Sequence, residues 1–262
     1  MILNAITKPA RARERQVLLP GRQRGARIGF SQAARNFVSV FREDPPCLSV
    51  TKLKPVAASK IGDIQLADED AAFAALAALL GEFYFHYWLV QGDGFDVTGW
   101  VIKDYLASLN HIDAPRYNTM AQLGRILHAR RHDALAYKKN AGKYVGNFNY
   151  RALHAITRRA DLVLMAALEI TPKAGLSLFD DVQRVLAINA FAGEKGIPAA
   201  AKAVLRPLPR DLDKETRLLA VVDADLRAHY DLSEAAYEFF LHRDVILASP
   251  DGQEEPEDEE AA

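Results

Sequence analysis

Four short constellations in this sequence have the residue types that reaction chemistry uses. His128 and His132 stand four apart, the spacing at which two imidazoles on one helix face share a metal ion. Arg130 and Arg131 lie between them, where a zinc hydrolase carries a glutamate, and two extra cations repel a metal. A basic helix explains all four residues more simply. Asp44-Pro45-Pro46-Cys47 offers the polar side chain and carbonyl that could hold the amino group of a flipped base. That chemistry also needs an aromatic ring after the prolines and a preceding glycine motif for S-adenosylmethionine; Cys47 is no such ring, so the segment reads as a Pro-Pro turn. Gly92-Asp93-Gly94 closes an apolar run and reads as a helix C-cap rather than a cofactor loop. Glu82 and His86 share a helix face and read as a surface or hydrogen-bonded pair rather than a proton relay. No nucleophile elbow, P-loop or carboxylate cluster stands out. The sequence therefore names no catalytic residue, no metal ligand and no cofactor site.

Charge is the stronger signal. The formal net charge is −1, but the signs are segregated along the chain. Residues 8 to 27 hold Lys8, Arg11, Arg13, Arg15, Arg22, Arg24 and Arg27 against Glu14 alone. From Arg125 to Arg159 there are nine cations, Arg125, Arg130, Arg131, Lys138, Lys139, Lys143, Arg151, Arg158 and Arg159, against Asp133. The last twelve residues carry seven acids and no base. Cation clusters of this kind can neutralise phosphates and release counterions, and the competing reading is a solvated surface.

These residues need a scaffold, and half of the 262 residues are hydrophobic, enough for one or two packed cores. The apolar stretch from Ala71 to Val90 contains Glu82 and His86 and follows three acids, so it predicts a buried helix over 68–90 rather than a membrane span. The N-terminus lacks the order of a secretory signal, and Cys47 alone builds no disulfide framework, so a cytoplasmic protein without a membrane partner is expected. Short β-prone runs at Gln16 to Leu19, Asn36 to Phe41, Leu48 to Leu53 and Phe95 to Ile102 predict strands. Apolar residues at three-to-four spacing predict helices over Met120 to Tyr137 and Asn149 to Ile170, joined by a glycine-containing loop. Further helices are predicted over Phe179 to Phe191 and Asp213 to Val245. The expected fold is α+β and mostly helical, with short N-terminal strands before a bundle-like C-terminal half and a disordered acidic tail. Its expected parts are a mixed α/β region over 1–110, a basic helical region over 111–200, a helical extension over 201–249 and the tail over 250–262.

Two segments resemble the C-terminal regions of large gamma-class N6-adenine DNA methyltransferases, including type IIG restriction-modification enzymes. In the first, an Ala/Leu-rich helix passes into Phe83-Tyr84-Phe85-His86-Tyr87-Trp88 and then Gly92-Asp93-Gly94-Phe95, continued by Trp100, Ile102 and Asp104. In the second, Lys138-Lys139-Asn140-Ala141-Gly142-Lys143 leads into Gly146-Asn147-Phe148-Asn149-Tyr150 and Arg151. Thr157, Arg158, Arg159, Ala160 and Asp161 then resemble a Thr-Asp-x-x-Asp stretch, with Arg158 in place of the first acid.

The resemblance implies a target-recognition region that binds double-stranded DNA and presents an adenine to a catalytic core on a separate methyltransferase chain. The module would be a fragment or split subunit with no activity of its own. S-adenosylmethionine would bind only the separate core, and this chain would hold no cofactor. Asn140, Asn147 and Asn149 join the cations as DNA-binding candidates, with Asn147 and Asn149 as base contacts, because an amide can bond bidentately to adenine. The alternatives are a tight turn in which the Asn residues stabilise local backbone, and, for the whole chain, a protein-interaction module. The aromatic run from Phe83 to Trp88 reads as core packing.

Overall fold

A computed structural model describes residues 16–19, 25–32, 38–58, 60–93, 96–171 and 197–247. The strands that alternate or run apolar come first: β1 (Ala26–Ser31), β2 (Val40–Phe41), β3 (Cys47–Ser49) and β4 (Ile61–Leu66). β1 sits between β2 and β4 in one antiparallel sheet, with Ile28 opposite Ile64 and Phe30 opposite Val40. Against it packs α1 (Glu69–Leu79), whose Ala71, Ala72, Ala74, Ala75, Leu76, Ala77, Ala78 and Leu79 are all buried. Asp68 starts this helix by accepting the Ala71 amide at 2.7 Å, as an N-cap should.

The single helix expected over 68–90 is two, α1 and α2 (Glu82–Gln91), bent by 75° at Leu80-Gly81. The bend has a long-range cause. Gly81 is extended and caps nothing, so the exposed amides of Glu82 and Phe83 are satisfied by the Asp161 carboxylate at 2.8 and 3.4 Å. That carboxylate sits where a β-carbon would be: one placed on Gly81 would lie 1.9 Å from Asp161 Oδ1. The Asp161 carrier is α5 (His154–Ala167). One turn earlier, Arg158 forms a bidentate pair with Glu82 at 2.9 Å and donates to the Phe240 carbonyl at 2.9 Å. Glu82 is therefore buried as the partner of a buried arginine rather than lying on the surface.

The aromatic run packs inward as expected. Phe83, Tyr84, Phe85, Tyr87 and Trp88 are buried, and the Tyr84 and Tyr87 rings lie 4.9 and 5.3 Å from Tyr105. Tyr105 belongs to α3 (Gly99–Leu106), so the strand expected over Phe95 to Ile102 is a helix. Val101, Ile102, Tyr105 and Leu106 are its buried residues, a helical rather than an alternating period. No single helix among the described residues is long and apolar enough to cross a membrane.

The basic region departs most from expectation. α4 (Ala114–Ala129), capped by Asp113 at 2.9 Å from the Arg116 amide, ends before Arg130, and the chain then enters β5 (Leu135–Asn140) and β6 (Lys143–Phe148). The expected glycine-containing loop is thus a β-hairpin, and it joins β3 in a second antiparallel sheet of order β3-β6-β5. A 3-10 turn over Tyr150–Leu153 leads on into α5. The final expected helix is also two, α7 (Leu212–Tyr230) and α8 (Glu234–Leu247), after the short α6 (Ala199–Lys202). Asp231 separates them in the left-handed region at φ 52°. Of the remaining expectations, Gln16 to Leu19 makes only the Leu18–Leu66 bridge, while the helix over Phe179 to Phe191, the basic residues 8–15 and the acidic tail lie outside the described residues. The class is as expected: α+β, mostly helical, with short strands toward the N-terminus and helices in the C-terminal half.

Removing one member of a buried ion pair strands the other. Glu82→Ala is expected to cost about 3–5 kcal/mol in urea unfolding, and Glu82→Leu combined with Arg158→Met to recover most of it. Equal losses in the single and double variants would show that the pair contributes no more than its packing.

Candidate nucleic-acid interface

Five arginines of the basic region are neutralised by acids from distant parts of the chain. Arg125 pairs with Asp70 and lies 4.9 Å over the Phe73 ring. Arg130 pairs with Asp133 and Glu215, each at 3.3 Å. Arg131 is buried and meets Glu43 at 2.8 Å. Arg158 is 1% exposed in its pair with Glu82, and Arg159 grips Asp223 through two bonds of 2.6 and 2.7 Å. Five of the twelve predicted contacts are thus engaged within the protein, and the two buried ones do not reach a surface where a duplex could lie.

The second sheet gathers the others. In β6 the burial alternates, with Tyr144, Gly146 and Phe148 inside and Lys143, Val145 and Asn147 half-buried. Residues directly opposite in an antiparallel pair share a face. The register therefore puts Ala136 and Lys138 beside Asn147 and Val145, and Asn140 beside Lys143. On the far side, Ser49 stands opposite Lys143 and its amide bonds to the Lys54 carbonyl at 3.0 Å, which brings Lys54 onto the same face. Lys143 Nζ reaches the Ala57 carbonyl at 3.3 Å. Lys52 is exposed in the adjoining turn, where the Val50 amide bonds to the Gly142 carbonyl at 2.9 Å. Lys139 is exposed near the hairpin tip and alternates onto the opposite face with the buried Tyr137.

The chain segments that build this end of the molecule, Pro45 to Lys60 and Ala134 to Ala160, contain no Asp or Glu. Among the described residues no carboxylate pairs with Lys52, Lys54 or Lys138. Lys52 and Lys54 are not among the cations that charge density along the chain singles out. The acid-free run from Pro45 to Lys60 is the available signal, but only the strand pairing brings it beside the hairpin.

Two of the predicted amides have local work. The Asn147 Oδ1 accepts from the Ser39 hydroxyl, and the Asn149 Oδ1 accepts the Arg151 amide at 3.2 Å, as the cap of the 3-10 turn. The structure thus includes the backbone-stabilising role for Asn149 and a sheet-to-sheet link for Asn147. Arg151 is half-buried in that turn. The end of α4 falls between the two histidines: His128 lies in its last turn, and His132 is exposed beyond it. Among the described residues, no group of three or more potential metal ligands converges. Asp44 of the Pro-Pro motif pairs with Arg27 at 2.7 Å on the surface.

No family model, no curated protein and no solved structure matches this chain. What the lysine face can bind therefore follows from its own residues.

The hairpin closes through Ala141 at φ 45° and Gly142 at φ 74°, the two positive dihedrals of a type I′ turn. Alanine resists the first of them, whereas asparagine accepts it. Ala141→Asn is expected to raise stability by about 0.5–1 kcal/mol, read as a higher melting temperature with an unchanged fold. A second expectation concerns His128, which burial and the nearby Arg131 charge push down to about 4. Its folded value lies below the ordinary one near 6.5, so the unfolded chain takes up the proton first. Stability is thus lost as pH falls from about 6.5 toward 4, and His128→Gln should flatten that part of the melting-temperature profile.

Proposed function

We propose that this chain is a DNA-binding specificity module whose contact surface is the lysine-bearing end of the second sheet. The observation that carries the reading is the separation of cations into two kinds. Arg125, Arg130, Arg131, Arg158 and Arg159 are held in ion pairs, while Lys52, Lys54, Lys138 and Lys143 crowd around one β-hairpin in acid-free sequence. A two-stranded β-ribbon is one of the elements that the major groove of B-DNA admits. Lysines at its tip can neutralise phosphates on either side, and Asn140 shares the face from which base edges would be read. In this reading methyl transfer, with its S-adenosylmethionine, belongs to a separate catalytic chain, and the module supplies register and sequence preference. Asn147 and Arg151 flank the ribbon, and a base contact by Asn147 would require it to leave Ser39.

Each lysine that neutralises a phosphate adds about 0.9 to the slope of log affinity against log salt. Changing Lys54, Lys138 and Lys143 together to Glu is expected to abolish low-salt binding to random duplex, and single changes to Gln to lower the slope by about 0.9 each. Lys103→Glu, on exposed α3 surface, serves as the charge control and should bind as the parent does. Binding by the parent that is unaffected by salt, or lost equally in the control, would overturn the proposal.

A further inference from the structure

The tip of the hairpin breaks a local rule. Its turn residues are Ala141 at φ 45° and Gly142 at φ 74°, and the first of these positions is relaxed for glycine or asparagine but strained for alanine. Ala141 is exposed, so packing of its methyl does not offset the strain. A methyl held at the end of a ribbon is, however, open to a ligand, and the residue before it is an exposed asparagine.

Asn140 differs from the other uncharged polar side chains of the lysine face. Asn147 accepts from the Ser39 hydroxyl, and the Ser49 hydroxyl accepts the Lys52 amide at 3.0 Å. The Asn140 carboxamide has no partner among the described residues, and it carries a donor and an acceptor on one planar group. In the major groove of B-DNA, adenine offers the complementary N7 acceptor and N6 donor, and thymine alone of the four bases adds a methyl group. The tip thus has one group for each half of an A·T pair.

The dimensions agree. The groove is about 12 Å wide and about 8.5 Å deep, whereas the two strands lie about 5 Å apart and their turn carries only a methyl and a hydrogen. Lys138 stands two residues behind Asn140, about 7 Å along the strand. A carboxamide at the base edges therefore leaves the Lys138 ammonium near the rim of the groove, beside the phosphates, and Lys143 flanks Asn140 from the second strand.

We infer that Asn140 and Ala141 determine the sequence specificity of this interface: the Asn140 carboxamide bonds to N6 and N7 of an adenine, and the Ala141 methyl packs on the thymine methyl of the same or the next base pair. The inference rests on the DNA-binding reading of the neighbouring lysines, which supply affinity but carry no sequence information.

The full chain is used to select tight sites from a randomised duplex library, and the recovered sites are expected to share an A·T pair. Replacing that adenine by 7-deazaadenine removes the N7 acceptor and is expected to weaken binding about tenfold. Replacing the thymine by uracil removes the methyl and is expected to weaken binding about fourfold. Asn140→Ala should bind the adenine and 7-deazaadenine sites equally, and Ala141→Gly the thymine and uracil sites equally, each with an unchanged circular-dichroism spectrum. A variant that only loosened the hairpin would lose affinity for every duplex and keep both ratios. Ratios that stay at the parent value in the variants overturn the inference. So does a library without a shared A·T pair when the parent binds duplex in a salt-dependent way, and either result leaves the lysine interface standing. A parent that binds no duplex removes both.

Discussion

Two side chains one turn apart on α5 hold the beginning of α2. Asp161 accepts the first amides of that helix, and Arg158 neutralises its first side chain, Glu82, so the dipole, the open amides and the carboxylate at one helix start are all answered from a single neighbouring turn. All three side chains are buried, and a buried charge left alone costs more than the pair gains, so the arrangement is held as a unit. Much of the geometry follows from it. The 75° bend after α1 turns the aromatic face of α2 onto Tyr105 of α3. The spare donor of Arg158 fixes Phe240, which sets the direction of α8. The helix that carries the clamp begins a few residues past the end of β6, so the hairpin is anchored to the same point.

The helical content and the inward packing of the aromatic run are legible in the sequence, because each depends on residues within a few positions of one another. Three kinds of feature are hidden. Breaks in long apolar runs at Gly81 and Asp231 depend on what lies across the core or on a single left-handed residue. Strands β1 and β4 each contain a glycine, Gly29 and Gly62, where the alternation lapses because a ring from the neighbouring strand fills the place. The hairpin reads as a loop between helices because its lysines and asparagines are poor strand formers in isolation, and pairing with β3 supplies what propensity does not.

The charge count misleads for a related reason. Between Arg125 and Arg159 the sequence shows one acid, yet the arginines there find Glu43, Asp70, Glu82, Glu215 and Asp223 from five other places along the chain. Arginine suits such pairing because its planar fork meets a carboxylate through two bonds and tolerates burial, whereas the compact lysine ammonium keeps its water. Residue type thus sorts what local charge density does not. The arginines bind helices together, and the lysines remain at the solvent-facing sheet.

Lysines on a sheet edge also have a purely protective use, because they discourage another strand from pairing with exposed backbone. That role fits Lys138 and Lys139, which lie on β5 at the edge of the order β3-β6-β5. It does not extend to Lys143, which belongs to the central strand, or to Lys54 beyond β3, whose side chains protect no open ladder. A face that carries cations across the whole width of the sheet, with no acid in the segments that form it, concentrates positive potential where edge protection alone requires none. The breadth of the patch, more than its charge, is what favours an extended anionic partner.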